Sequence, residues 1–67
     1  MTDTIQVNGQ SEQLNAATVA ALLQEKEIDA PGVAVALNGA VVPRGAWPAT
    51  KLRAGDTIEI VRARQGG

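Results

Sequence analysis

Val33-Ala34-Val35-Ala36-Leu37-Asn38-Gly39-Ala40-Val41-Val42-Pro43 is the stretch that decides the fold. Its first five residues are a short apolar run bounded by turn signals, which reads as a strand. Val33, Val35 and Leu37 share one face of that strand, and Ala34 and Ala36 share the other. Asn38-Gly39 follows, the strongest short hairpin signal, because both central positions of the favoured two-residue turn need positive φ. Val41-Val42 then returns as a short strand. Pro43 ends it, since proline has no N–H to give to a ladder.

Upstream lies a second pattern of the same kind. In Thr4-Ile5-Gln6-Val7-Asn8, Ile5 and Val7 alternate with polar neighbours, as in a strand with one buried face. Asn8-Gly9 predicts another tight hairpin. Gln10 to Leu14 is the return strand, mostly polar and suited to a sheet edge. Between the hairpins, Val19, Leu22 and Leu23 fall at i, i+3 and i+4, with Lys26 and Ile28 following. This spacing predicts an amphipathic helix of two to three turns. Thr18 supplies the N-cap hydroxyl, although Ala21 stands where a capping-box acid would be. Asp29-Ala30-Pro31-Gly32 is expected to stop the helix, because Pro31 cannot continue it.

Downstream, Arg44 to Arg53 crosses over the domain, with Trp47-Pro48 and Leu52 as anchors. Ala54-Gly55-Asp56 is a turn. Thr57 to Arg62 alternates again, Ile58 and Ile60 on one face and Glu59 and Val61 on the other. The order is hairpin, helix, strand, short strand, crossing segment, last strand. That predicts an α+β fold: a mixed sheet of four to five strands packed on one helix. The chain is one domain, residues 1–62, followed by a tail, residues 63–67, ending in Gly66-Gly67. With two glycines at the end, nothing fixes the backbone of that tail, so it is expected to be mobile.

Composition narrows the function. In 67 residues there is no cysteine and no histidine. Structural zinc sites need those ligands in nearly every case. Cysteine nucleophiles and histidine-activated serines are likewise excluded. The net charge is −1 and the only aromatic is Trp47, so neither a phosphate-gathering field nor a base-stacking platform exists. Neither phosphate-binding glycine motif is present. A domain this small buries only about 60% of the surface its unfolded chain exposes, which leaves no room for a deep catalytic cavity. Met1-Thr2-Asp3-Thr4 has no basic, then apolar, leader pattern, and no apolar run approaches membrane-spanning length. A soluble, cytoplasmic protein, monomeric when free and not an enzyme, is the expectation.

A few residues invite a second reading. Glu25, Glu27 and Asp29 cluster at the helix end; a solvated helix end is favoured there over a metal site. Trp47 is read as a core residue with its N–H bonded, rather than as an interface anchor. Arg62 and Arg64 either steer a partner with an acidic groove or simply solubilise the chain. Taken alone, Gly66-Gly67 reads more readily as a frayed end than as a site of chemistry.

The whole chain resembles the ThiS family of sulfur carriers in thiamine thiazole synthesis, within the ubiquitin-like β-grasp superfamily. The resemblance is carried by Thr18-Val19 with Leu22-Leu23, Ala36-Leu37-Asn38-Gly39, Val41-Val42-Pro43-Arg44, Trp47, Leu52, Gly55-Asp56, Ile58-Glu59-Ile60 and Gly66-Gly67. It is looser across Gln10 to Asn15. Val-Pro-Arg with Trp three residues after the Arg is its most specific part. Gly-Asp and the terminal Gly-Gly are shared with the wider superfamily, including the MoaD type of molybdopterin synthesis. The tail Ala63-Arg64-Gln65 is more basic than the family leads one to expect.

The resemblance implies a function. A terminal carboxyl has a pKa of about 3.5 and is ionised at neutral pH, which makes it a poor electrophile until activated. In such carriers a ThiF-type, E1-like adenylyltransferase activates the carboxylate, here that of Gly67, with ATP and Mg²⁺ at its own site. A sulfur donor, such as a cysteine desulfurase, displaces AMP, and the thiocarboxylate passes sulfur to a ThiG-type thiazole synthase. Gly66, Gln65 and Arg64 would form the tail that enters the partner; glycine without Cβ suits a narrow channel. One further expectation concerns docking. If Val35, Ile58 and Ile60 face the helix, Ala34, Ala36 and Val61 lie on the open sheet face, with Arg62 and Arg64 at the edge, as a flat apolar patch for the activating enzyme. The rivals are a carrier for molybdopterin synthesis and a β-grasp binding module without terminal chemistry.

Overall fold

The computed structural model describes residues 3–28 and 32–62. Strands β1 (Thr4–Val7) and β2 (Gln10–Gln13) form the first hairpin, α1 (Val19–Glu25) follows, and β3 (Val33–Leu37) and β4 (Ala40–Val42) form the second. A 3₁₀ helix (Arg44–Ala49) occupies the crossing segment, and β5 (Thr57–Arg62) ends the described chain. The sheet order is β2-β1-β5-β3-β4. β5 therefore lies at the centre, parallel to β1 and antiparallel to β3. β2 is an edge strand, as its polar sequence demands. This mixed five-stranded sheet with a single helix on one face is the arrangement the β-grasp resemblance implies.

Both hairpin turns form for the predicted reason. Asn8 and Gly9 have φ of 51° and 84°, and Asn38 and Gly39 have φ of 50° and 87°. Two successive positive values match the twist of the flanking strands. The core follows from the two periodicities. Ile5, Val7, Val35, Val42 and Ile58 project from one sheet face and meet Val19, Leu22 and Leu23 of α1. Ile5, Val19, Val35 and Ile58 are essentially inaccessible to solvent, each contributing about 1.5–3 kcal/mol of transfer free energy. The crossing segment closes one end with Trp47 and Leu52, both buried. Trp47 Nε1 donates to the Val42 carbonyl at 2.9 Å, so the indole is a core residue with its polar atom satisfied.

Thr18 caps α1 as expected, its Oγ1 accepting from the Ala21 N–H at 3.1 Å. The far end differs from the sequence expectation. The helix stops at Glu25, ahead of the 29–32 stretch expected to end it, of which residues 29–31 lie outside the described part. Glu27 takes a left-handed conformation, φ 56°, its N–H donating to the Gln24 carbonyl and that of Ile28 to the Leu23 carbonyl. This 5→2 and 6→1 pair is a Schellman ending. Burying Ile28 against the core outweighs the strain at Glu27. Lys26 Nζ also reaches Glu12 Oε1 at 2.6 Å, tying α1 to β2.

Candidate functional site

The open sheet face carries the apolar surface that the alternation of β3 and β5 predicts. Val61 pairs with Ala34, and Ala36 pairs with Val41 on one side and Glu59 on the other. Ala34, Val35, Ala36, Val41, Glu59 and Val61 line a shallow hollow of about 230 Å³. The two largest exposed apolar side chains in the described residues both stand here, Val41 at 77% and Val61 at 61% exposure. Ala34, Ala36 and Val61 are therefore together, as expected. Val41 was not anticipated, yet its signal was present: in Ala40-Val41-Val42 only one valine can face the core, and Val42 is the buried one.

Arg62 is not at the rim of this hollow. Side chains alternate along β5, so Arg62 shares the helix-side face with Ile58 and Ile60. It lines a separate, polar groove of about 460 Å³ with Val7, Glu12, Lys26, Ile28 and Ile60. The expectation set Arg62 at the edge of the apolar patch; strand alternation turns its side chain to the opposite face of the sheet. Arg64, Gln65, Gly66 and Gly67 lie outside the described residues.

The strand that leads to the diglycine is held on both flanks. Along β3, pairing runs from Leu37↔Ile58 to Val33↔Arg62. Along β1 it covers only Gln6↔Thr57 and Val7↔Ile58. The turn asparagines extend that grip. Asn8 accepts from the Ile60 N–H at 2.8 Å and donates to the Ile60 carbonyl at 3.2 Å. At the other end of β5, Asn38 accepts from the Thr57 N–H at 2.9 Å and donates to Asp56 Oδ1 at 3.1 Å. Asp56 Oδ2 in turn accepts from the Arg53 N–H, closing the turn before β5. No group of three or more carboxylates able to hold a metal ion occurs among the described residues. None of their helices is long and apolar enough to cross a membrane.

The central strand β5 is thus the last described element ahead of the diglycine, and its open face carries the apolar hollow. The family model described as "ThiS family" matches residues 5–67. The chain belongs to the ThiS family. That match runs through Gly66 and Gly67. The curated sulfur carrier protein ThiS of Thermus thermophilus is 36% identical over 61 residues, covering 91% of this chain and 95% of the relative. The crystal structure of the thiamine biosynthesis protein ThiS from Geobacter metallireducens superposes with a TM-score of 0.81 at 34% identity, covering 96% of this chain and 99% of that one. The solution structure of a thiamine biosynthesis protein from the same organism gives a TM-score of 0.77 at 32% identity, covering 96% and 87%. The ubiquitin-like β-grasp fold is thereby established for this ThiS-family chain.

Proposed function

We propose that this chain is a sulfur carrier of thiamine biosynthesis that works through a thiocarboxylate on Gly67. The observation that carries this reading is the family match that extends unbroken to the diglycine. The body, residues 1–62, acts as the handle, and residues 63–67 present the reactive end. The Gly67 carboxylate attacks the α-phosphorus of ATP, held with Mg²⁺ at a ThiF-type enzyme, and pyrophosphate leaves. The persulfide of a donor such as a cysteine desulfurase then attacks the acyl carbon and AMP departs, and a second thiol cleaves the resulting acyl disulfide, leaving the thiocarboxylate on Gly67 and a disulfide on the donor. The thiocarboxylate delivers its sulfur to a ThiG-type thiazole synthase. All these steps belong in the cytoplasm, and the chain itself contributes no acid, base or nucleophile beyond its terminus.

The body's contribution is recognition. The hollow lined by Ala34, Ala36, Val41 and Val61 is apolar and open, and it lies on the strand that feeds the tail. Docking there would hold the terminus within reach of the activating site, since five residues past Arg62 span at most about 18 Å. Incubation with a ThiF-type enzyme, ATP and a sulfur source, followed by intact-mass measurement, tests the reading. The expected result is a mass gain equal to exchanging one oxygen for sulfur, abolished by one extra residue after Gly67. An unchanged mass under those conditions would refute it.

A further inference from the structure

Asn8 does two jobs that its sequence position shows only as one. It is the first residue of a tight turn, and its side-chain amide also takes over the β1–β5 ladder where β1 turns away. The backbone N–H of Asn8 donates to the Ile58 carbonyl at 2.9 Å, the last main-chain rung on that flank. The next rung is built by the Asn8 amide alone, which both donates to and accepts from Ile60. Beyond Ile60, Arg62 is paired with Val33 on the β3 flank, and no β1 residue pairs with it. Asn38 has the same turn geometry and the same kind of clamp, but on Thr57, at the end of β5 far from the diglycine.

We infer that Asn8 is a positioning residue for activation of the terminus, holding the end of β5 so that the open-face hollow and Arg62, from which the tail departs, keep one fixed relation. Val61, in the hollow, and Arg62, where the tail leaves, directly follow the clamped Ile60. Releasing that clamp leaves both held by the β3 ladder alone, through Ala34 and Val33, so docking directs the start of the tail less firmly. The effect acts on formation of the productive complex rather than on the chemical step, and hence on KM rather than kcat. This role rests on the carrier reading above.

The test compares Asn8→Gly with Asn38→Gly. Glycine keeps the positive φ both turns require, so each variant loses its clamp while retaining its hairpin. Amide hydrogen exchange at Ile60 and pyrophosphate release by a ThiF-type enzyme with ATP are the readouts. Asn8→Gly is expected to speed exchange at Ile60 and raise KM about tenfold, equivalent to about 1.4 kcal/mol, with kcat unchanged. Asn38→Gly is expected to lower thermal stability comparably while leaving KM alone. Equal KM values for the two variants, or an Asn8→Gly KM matching wild type despite faster exchange at Ile60, would overturn the role. So would unaltered exchange at Ile60. A wild-type chain that is never adenylated overturns the carrier reading and this role with it; where the wild type is adenylated, the variant comparison bears on Asn8 alone.

Discussion

Replacing Val61 by glutamate should separate the docking surface from the fold. Val61 is 61% exposed, so most of its side chain is free to be covered by a partner. Full burial of a valine is worth about 1.5–3 kcal/mol, which leaves about 1–2 kcal/mol available at this position. Val61→Ala should therefore raise KM for adenylation by up to about tenfold. Val61→Glu loses that term and also forces a carboxylate into an apolar contact, which costs a further few kcal/mol when unpaired. Glu59, two residues away on the same face, offers it no counter-charge. The combined effect is a KM increase of more than about a hundredfold. The fold should hardly notice, because exposed substitutions away from special features cost about 0.5 kcal/mol and the strand propensity scale spans only about 1 kcal/mol. Pyrophosphate release measured against carrier concentration gives KM, and a thermal melt checks the fold. An adenylation KM within threefold of wild type in a folded Val61→Glu protein (~0.6 kcal/mol) would refute the assignment of the hollow as the docking surface.

Trp47→Phe removes the donor to the Val42 carbonyl and leaves that acceptor unpaired next to the core. A loss of about 1–3 kcal/mol is expected in urea unfolding, with the midpoint shifting and the m-value unchanged; an unaltered midpoint would show that water replaces the indole N–H. Glu27→Gly relieves a left-handed conformation at φ 56° and removes a negative charge beyond a helix end with no basic residue in its last turn. It should stabilise the protein by about 1 kcal/mol, raising the melting temperature by about 4–8 °C; a fall would mean that the Glu27 side chain makes a compensating contact.

Much of this architecture was legible because it depends on neighbours in the chain. The period-2 alternation at Ile5 and Val7, and at Ile58 and Ile60, predicted which side chains turn toward the helix. Asn8-Gly9 and Asn38-Gly39 placed both hairpins, since the positive φ they favour is a property of those residues alone. Thr18 marked the helix start for the same local reason. The helix end was misplaced because Pro31 looked like the stop, whereas the pull of Ile28 into the core had already turned the chain at Glu27. Val41 escaped notice because Val41-Val42 is apolar throughout, and only pairing with β3 shows which valine faces out.

The amino-acid order by itself determined the turns, the alternating faces, the absence of thiol or imidazole chemistry, and a diglycine at residues 66–67. Each of these is set by a residue's own side chain and its nearest neighbours. The tertiary structure alone decided that β1 lies parallel to β5, that Arg62 is divided from Val61 by the thickness of the sheet, and that two turn asparagines grip the central strand from opposite ends. Those features join residues as much as 52 positions apart, and such pairings are chosen by burial of the shared core, to which local propensity is blind.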